Sequence, residues 1–179
     1  MDFKYLIMCE GNNEFEIIRI LLDANKLVFT RDDLLGLTPY QARQIHLSTQ
    51  VQAHLNNYFG KIKVLRIGDK QNEKFKIPQK YKDKIIEVKK YCTKPELEML
   101  LIIAENLENE FVKSKSADNP KTFCKQHISY NKKRYNNQTK FYTDFYGDRP
   151  ELLVDNIKKY RQINGSHKKD EHYLEELLK

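Results

Sequence analysis

An α/β fold, with a mainly parallel four-stranded sheet flanked by helices, is what this 179-residue sequence predicts, and three observations support it. Short apolar runs at Tyr5 to Cys9, Val64 to Ile67 and Ile85 to Val88 have the length and continuity of strands buried on both faces. Between them lie stretches with apolar residues at helical spacing, so strand and helix alternate as they do around a parallel sheet. Two of the runs end on a carboxylate beside a glycine, Glu10-Gly11 and Gly68-Asp69, at the strand ends where open α/β sheets hold their sites. The remainder is helical in pattern and is expected as a C-terminal extension packed on the core, dividing the chain into residues 1–112 and 113–179.

The first strand leads through Gly11 into a helix with Asn13 as its expected cap and Glu16 as the capping-box partner. Ile17, Ile18, Leu21 and Leu22 form its inward stripe, and it ends near Asn25. Leu27-Val28-Phe29 is β-prone and is followed by Asp32-Asp33, which predicts a further strand and a loop or turn with two acids. Thr38-Pro39-Tyr40-Gln41 has the capping threonine and early proline of a helix start, predicting a helix to about Tyr58 that Gly60 ends. Lys63 to Asp69 then repeats the opening pattern of apolar strand, glycine and acid. The lysine-rich stretch from Lys70 to Lys84 contains Pro78 and little periodicity, and reads as a loop before the strand at Ile85. Thr93-Lys94-Pro95-Glu96 predicts the start of a long helix with Leu97, Leu100, Leu101, Ala104, Leu107 and Phe111 facing inward. Further helices are expected from Pro120 to about Tyr135, near Phe141 to Tyr146, after Asp148-Arg149-Pro150-Glu151, and at the terminal Leu177-Leu178.

A composition of 32% charged residues with a mean hydropathy of −0.75 argues for a soluble protein, and no apolar run approaches the length of a membrane span. The N-terminus lacks a signal peptide's apolar core, so an intracellular, cytoplasmic protein is expected. Cys9, Cys92 and Cys124 are odd in number and far apart, which fits free thiols rather than disulfides or zinc. The net charge of +7 is concentrated between Lys113 and Lys140, where Lys113, Lys115, Lys121, Lys125, Lys132, Lys133, Arg134 and Lys140 face the single acid Asp118. Phe123, His127, Tyr130 and Tyr135 lie among them, and rings among cations can stack on bases while the cations neutralise phosphates. The same pattern also fits a solvated helix face with its aromatics turned to the core.

Right-handed crossovers put successive strand ends on one edge of a parallel sheet, so Glu10, Asp69 and the acids after Pro95 are expected to converge. Carboxylates gathered in this way repel one another unless a cation sits among them, and their hard oxygens suit Mg²⁺ or Mn²⁺. Structural roles also fit each residue singly: a lysine partner for Glu10, a helix-dipole role for Glu14, a turn for Asp69, a capping box for Glu96 and a solvated face for Glu98. No Ser-His-Asp order, Walker loop or GxGxxG is present.

The apolar strand followed by Glu10-Gly11 and then Glu14 resembles the opening motif of Toprim domains, a Rossmann-like fold shared by topoisomerases, primases, OLD-family nucleases and small bacterial relatives. Val64 to Asp69 lies where their second acidic motif lies, and Lys94-Pro95-Glu96-Leu97-Glu98-Met99-Leu100-Leu101 is similar to a segment of RloB-like proteins. The resemblance spans roughly residues 3 to 112. It implies metal-dependent hydrolysis of nucleic-acid phosphodiesters, with Glu10 as the acid-base or metal-organising carboxylate, Asp69 as a metal ligand, Glu14 in support and Glu98 completing the cluster around Mg²⁺ or Mn²⁺. Lys70, by its position directly after Asp69, fits either a phosphate contact or a solvated lysine. A setting in defence or a mobile element, with a protein partner, is also implied. The chain departs from the family at Asp69-Lys70-Gln71, where Toprim enzymes usually carry Asp-x-Asp. Either Glu98 or Glu96 replaces the second acid, or the protein is a non-catalytic nucleic-acid-binding or partner-binding module.

Overall fold

A strand inside a parallel sheet must be apolar on both faces, and β1 (Phe3–Cys9) meets that condition by sending Ile7 and Cys9 to one core and Leu6 and Met8 to the other. The computed structural model describes residues 3–69, 74–93, 96–114, 119–163 and 170–179. After β1 come α1 (Asn12–Asp23), β2 (Tyr40–Gln41), α2 (Thr49–Asn57), β3 (Lys61–Gly68), β4 (Ile85–Cys92), α3 (Met99–Ala104) and α4 (Glu108–Ser114). The rest comprises α5 (Pro120–His127), a hairpin of β5 (Ser129–Tyr130) and β6 (Lys133–Arg134), α6 (Thr139–Tyr146), α7 (Pro150–Ile163) and β7 (Glu171–Tyr173). The sheet runs β2-β1-β3-β4-β7 with every pairing parallel, so it has five strands rather than four, and the hairpin stands apart from it.

The larger core lies between the sheet and α1, α3, α6 and α7, and it joins residues from both ends of the chain. The smaller core, on the opposite face, is closed by Val51 and Leu55 of α2 with Leu35, Tyr40 and Ile45.

Several local expectations give way to tertiary demands. Leu27 and Phe29 are buried, but Leu27-Val28-Phe29 is no strand of the sheet: Leu27 bridges Leu178, and Val28 N–H donates to the Leu177 carbonyl at 2.9 Å. Tyr40–Gln41 takes the place beside β1 instead, pairing with Met8 and Cys9. The helix expected from Thr38 begins only at Thr49, where the Ser48 hydroxyl accepts from Val51 N–H at 3.2 Å. Upstream of it Tyr40 and Ala42 are buried while Gln41 is exposed, a period of two that suits a strand and not a helix. Gly36 makes the turn into this strand with φ 72°, and a side chain there would strike the Tyr40 hydroxyl.

The long helix expected after Thr93 is two short ones. Leu97 and Glu98 are buried before regular helix starts at Met99, and Asn106 at φ 56° separates α3 from α4. The Pro120 helix is capped by Asn119 but stops at His127, because Asn131 and Lys132 take positive φ and turn the basic residues 132–134 into the hairpin. The chain ends in β7 and a 3₁₀ turn, Leu174–Leu177, rather than an α-helix. Asn13 is not the cap of α1: Gly11 holds that position, and Glu16 turns to Arg19 and Thr143. All three cysteines are free and buried. Among the described residues no helix is long and apolar enough to cross a membrane.

Candidate functional site

Two strand ends, a helix start and the segment entering α3 meet at one edge of the sheet. Glu10 continues β1, its N–H donating to the Ile67 carbonyl at 2.8 Å, and Asp69 follows β3 directly. Glu14 lies in the first turn of α1, and Glu96 and Glu98 precede α3. These five acids line one cavity of about 380 Å³, with Arg43 and Lys121 as the cations in its wall. Glycine makes the close approach possible at two places. A Cβ on Gly68 would lie 2.5 Å from Glu10 Oε2, and one on Gly11 would lie 2.7 Å from Glu14 Oε2.

The acids have different surroundings. Glu10 pairs with the exposed guanidinium of Arg43 at 3.2 Å. Glu98, 5% exposed, accepts a hydrogen bond of 2.7 Å from the Tyr135 hydroxyl. Burial, and then Glu98 itself, push the pKa of that hydroxyl up, which keeps it a donor. Glu96 accepts from Lys121 N–H at 3.1 Å, and burial followed by Glu98 raises its pKa. Glu14 is the most perturbed carboxyl of the cavity, moved from 4.5 to about 7 chiefly by burial and further by Asp69, Glu10 and Glu98, against a hydrogen bond from its own backbone.

Glu10, Glu14, Asp69 and Glu98, all expected in the site, are thus brought together. Glu96 joins them as a wall residue whose carboxylate accepts from a first-turn N–H of α5. Of the cations expected to bind nucleic acid, Lys121 lines the cavity, whereas Lys113, Lys125, Lys132, Lys133 and Arg134 are exposed away from its lining. Lys133 stands 3.9 Å from Asp144. Lys70 and Lys115 lie outside the described residues. Asp33 closes a turn on Thr30, its carboxylate accepting from the Thr30 N–H at 2.8 Å, and neither it nor Asp32 lines the cavity.

Sequence reasoning missed Arg43, Asn137, Thr139 and the Tyr135 hydroxyl. Arg43 falls within a segment expected to be helical, and the others carry no motif. They belong to a wider pattern in which the C-terminal part clasps the acid-bearing elements. Thr139 donates to Asn13 at 3.1 Å and Thr143 to Glu16 at 2.5 Å, beside the Tyr135 and Lys121 bonds.

Among the described residues no group of three His, Cys, Asp or Glu side chains is already spaced to hold a metal ion. The chemistry of the donors nevertheless suits a hard divalent cation: the lining offers carboxylate, amide and hydroxyl oxygens without a thiol or imidazole, and a cation would relieve the repulsion that the neighbouring acids add to burial at Glu14. Comparison with known proteins gives no match to a family model, a curated protein or a solved structure.

Proposed function

We propose that this chain is a Toprim-like nuclease that hydrolyses phosphodiester bonds of nucleic acid with Mg²⁺ or Mn²⁺. The observation that supports it is the convergence of Glu10, Glu14, Asp69 and Glu98, from separate elements, on one cavity at the C-terminal edge of a parallel sheet. In this reading those four carboxylates hold the cation, with Glu98 standing in for the absent second aspartate. A bound divalent ion supplies charge stabilisation to a phosphoryl centre and acidifies a water.

The chain's own residues do the rest. Arg43 reaches Glu10 from an exposed position and is free to turn to a phosphate oxygen once the carboxylate has another partner. Lys121, across the cavity, offers a second cation for the same backbone. In this reading Glu10 either organises the cation with the other carboxylates or takes a proton from an attacking water and returns it to the leaving oxygen. Tyr135 holds Glu98 in one orientation. The setting we favour is cytoplasmic, in defence or a mobile element.

Glu10→Ala and Asp69→Ala are expected to abolish nicking of plasmid and RNA substrates in Mg²⁺ or Mn²⁺, with EDTA silencing the wild type. The same substitutions should erase the thermal stabilisation that Mg²⁺ gives the wild type. Equal cleavage by wild type and variants would overturn the reading. Salt-sensitive binding without cleavage in any divalent ion would assign the chain to a non-catalytic binding module instead.

A further inference from the structure

Residues 74–84, before β4, do not line the cavity. They carry Lys74, Lys76, Lys80, Lys82 and Lys84 against one acid, Asp83. Phe75, Ile77 and Tyr81 alternate with these lysines and turn onto the smaller core, while Lys74, Lys76, Lys80 and Lys82 are exposed. At one end the buried Gln44 donates to the Lys74 carbonyl at 3.1 Å and accepts from Lys76 N–H at 3.0 Å. Gln44 is the neighbour in sequence of Arg43, which lines the cavity. At the other end Lys80 Nζ reaches Asn56 at 3.3 Å, Lys84 Nζ reaches the Leu55 carbonyl at 2.6 Å, and the Lys84 carbonyl accepts from Ile62 N–H at 2.8 Å. The segment therefore passes along β3, from Phe75, whose ring centroid lies 4.9 Å from the Arg66 guanidinium, to Lys84 at Ile62. It leads from the edge that holds Asp69 to the opposite edge. There Phe59 projects into solvent, 95% exposed, with Lys84 Nζ 6.0 Å from its ring centroid. Lys61 lies beside it, donating to the Asp83 carbonyl at 2.9 Å.

We propose that Lys74, Lys76, Lys80 and Lys82, with Lys61 at the end, form a track for the phosphates of a single-stranded nucleic acid, and that Phe59 stacks a base where the track ends. Spaced cations with an accessible ring are the two elements of sequence-tolerant single-strand binding. A membrane is the poorer occupant, because one exposed ring is not the broad apolar face that an interfacial segment buries. The track deepens the nucleic-acid reading of the cavity but occupies a separate surface, so each can fail alone.

The test is fluorescence anisotropy with labelled single-stranded DNA and RNA homopolymers in EDTA over a salt series. Each neutralised phosphate of a single strand contributes about 0.7 to the log–log salt slope, so the double variant Lys80→Ala, Lys82→Ala should flatten the slope by about 1.4 and weaken binding. Phe59→Ala should weaken binding about tenfold at unchanged slope. All three residues are solvent-facing, and circular dichroism checks that the variants fold. Wild-type-like binding by these variants, with loss instead in Lys125→Ala and Lys133→Ala, would overturn the track. So would Phe59-dependent capture by phosphatidylserine vesicles or by polyglutamate without oligonucleotide binding. Track-dependent binding by a chain that never cleaves would support the track and remove the nuclease reading.

Discussion

At Glu14 burial, and after it the neighbouring Asp69, Glu10 and Glu98, impose an electrostatic penalty on the ionised carboxylate. Its folded pKa of about 7 exceeds the ordinary 4.5, so between those values the folded chain keeps a proton that the unfolded chain has released. Stability then falls as pH rises through that window, and the full loss, about 3 kcal/mol, is present above pH 7. Glu14→Gln should remove it, raising the unfolding midpoint at pH 8 and flattening the profile between pH 5 and 7. A variant with the wild-type profile would show that Glu14 is not the group responsible. Tyr135 acts in the opposite sense, because its hydroxyl supplies the 2.7 Å bond to a nearly buried carboxylate. Tyr135→Phe leaves that carboxylate short of a donor, and urea unfolding at pH 7 should record a loss of about 1–3 kcal/mol with the m-value unchanged. A loss within a few tenths of a kcal/mol would mean that Glu98 finds another partner.

Among the elements, those from the C-terminal part finish what the first half begins. The α6 helix, through Thr139 and Thr143, bonds to α1 near its start, and β7 pairs with the last three residues of β4. Leu174, Leu177 and Leu178, in the nine residues from Glu171, are buried in the larger core, and the main chain of Leu177 and Leu178 holds residues 27 and 28. Leu177→Ala should therefore cost about 2–5 kcal/mol by denaturant unfolding, as a core deletion does. A cost below about 0.5 kcal/mol, the range of surface changes, would show that the terminus is not docked.

For the molecule as a whole, the parts legible in the sequence were those encoded locally. Glu10 and Asp69 each follow an apolar run, and parallel crossovers bring such run ends to one edge, so the parallel sheet and its acidic corner could both be read. The edge strands could not, because Tyr40–Gln41 and Glu171–Tyr173 are too short to show a period, and their places depend on partners far along the chain. Leu27 to Phe29 looked more like a strand than either, yet Leu27 and Phe29 are buried in the larger core without joining the sheet, and Val28 is exposed. The site divides in the same way. The acids announce themselves by position, whereas Tyr135 reaches Glu98 across 37 residues and Thr139 reaches Asn13 across 126, separations that leave no local signature.

The position of β7 also bears on how the chain is made. During synthesis from the N-terminus, β1, β3 and β4 are available early, but the strand beside β4 and the leucines that hold residues 27 and 28 emerge only after them. Until Glu171 to Tyr173 arrive, the end of β4 lacks the neighbour it pairs with in the finished sheet, and an unpaired strand edge invites a strand from another chain. A ribosome stalled short of Glu171 would thus hold a nascent chain with its acid-bearing elements already made and its sheet still open, and release of that chain would favour aggregation over folding.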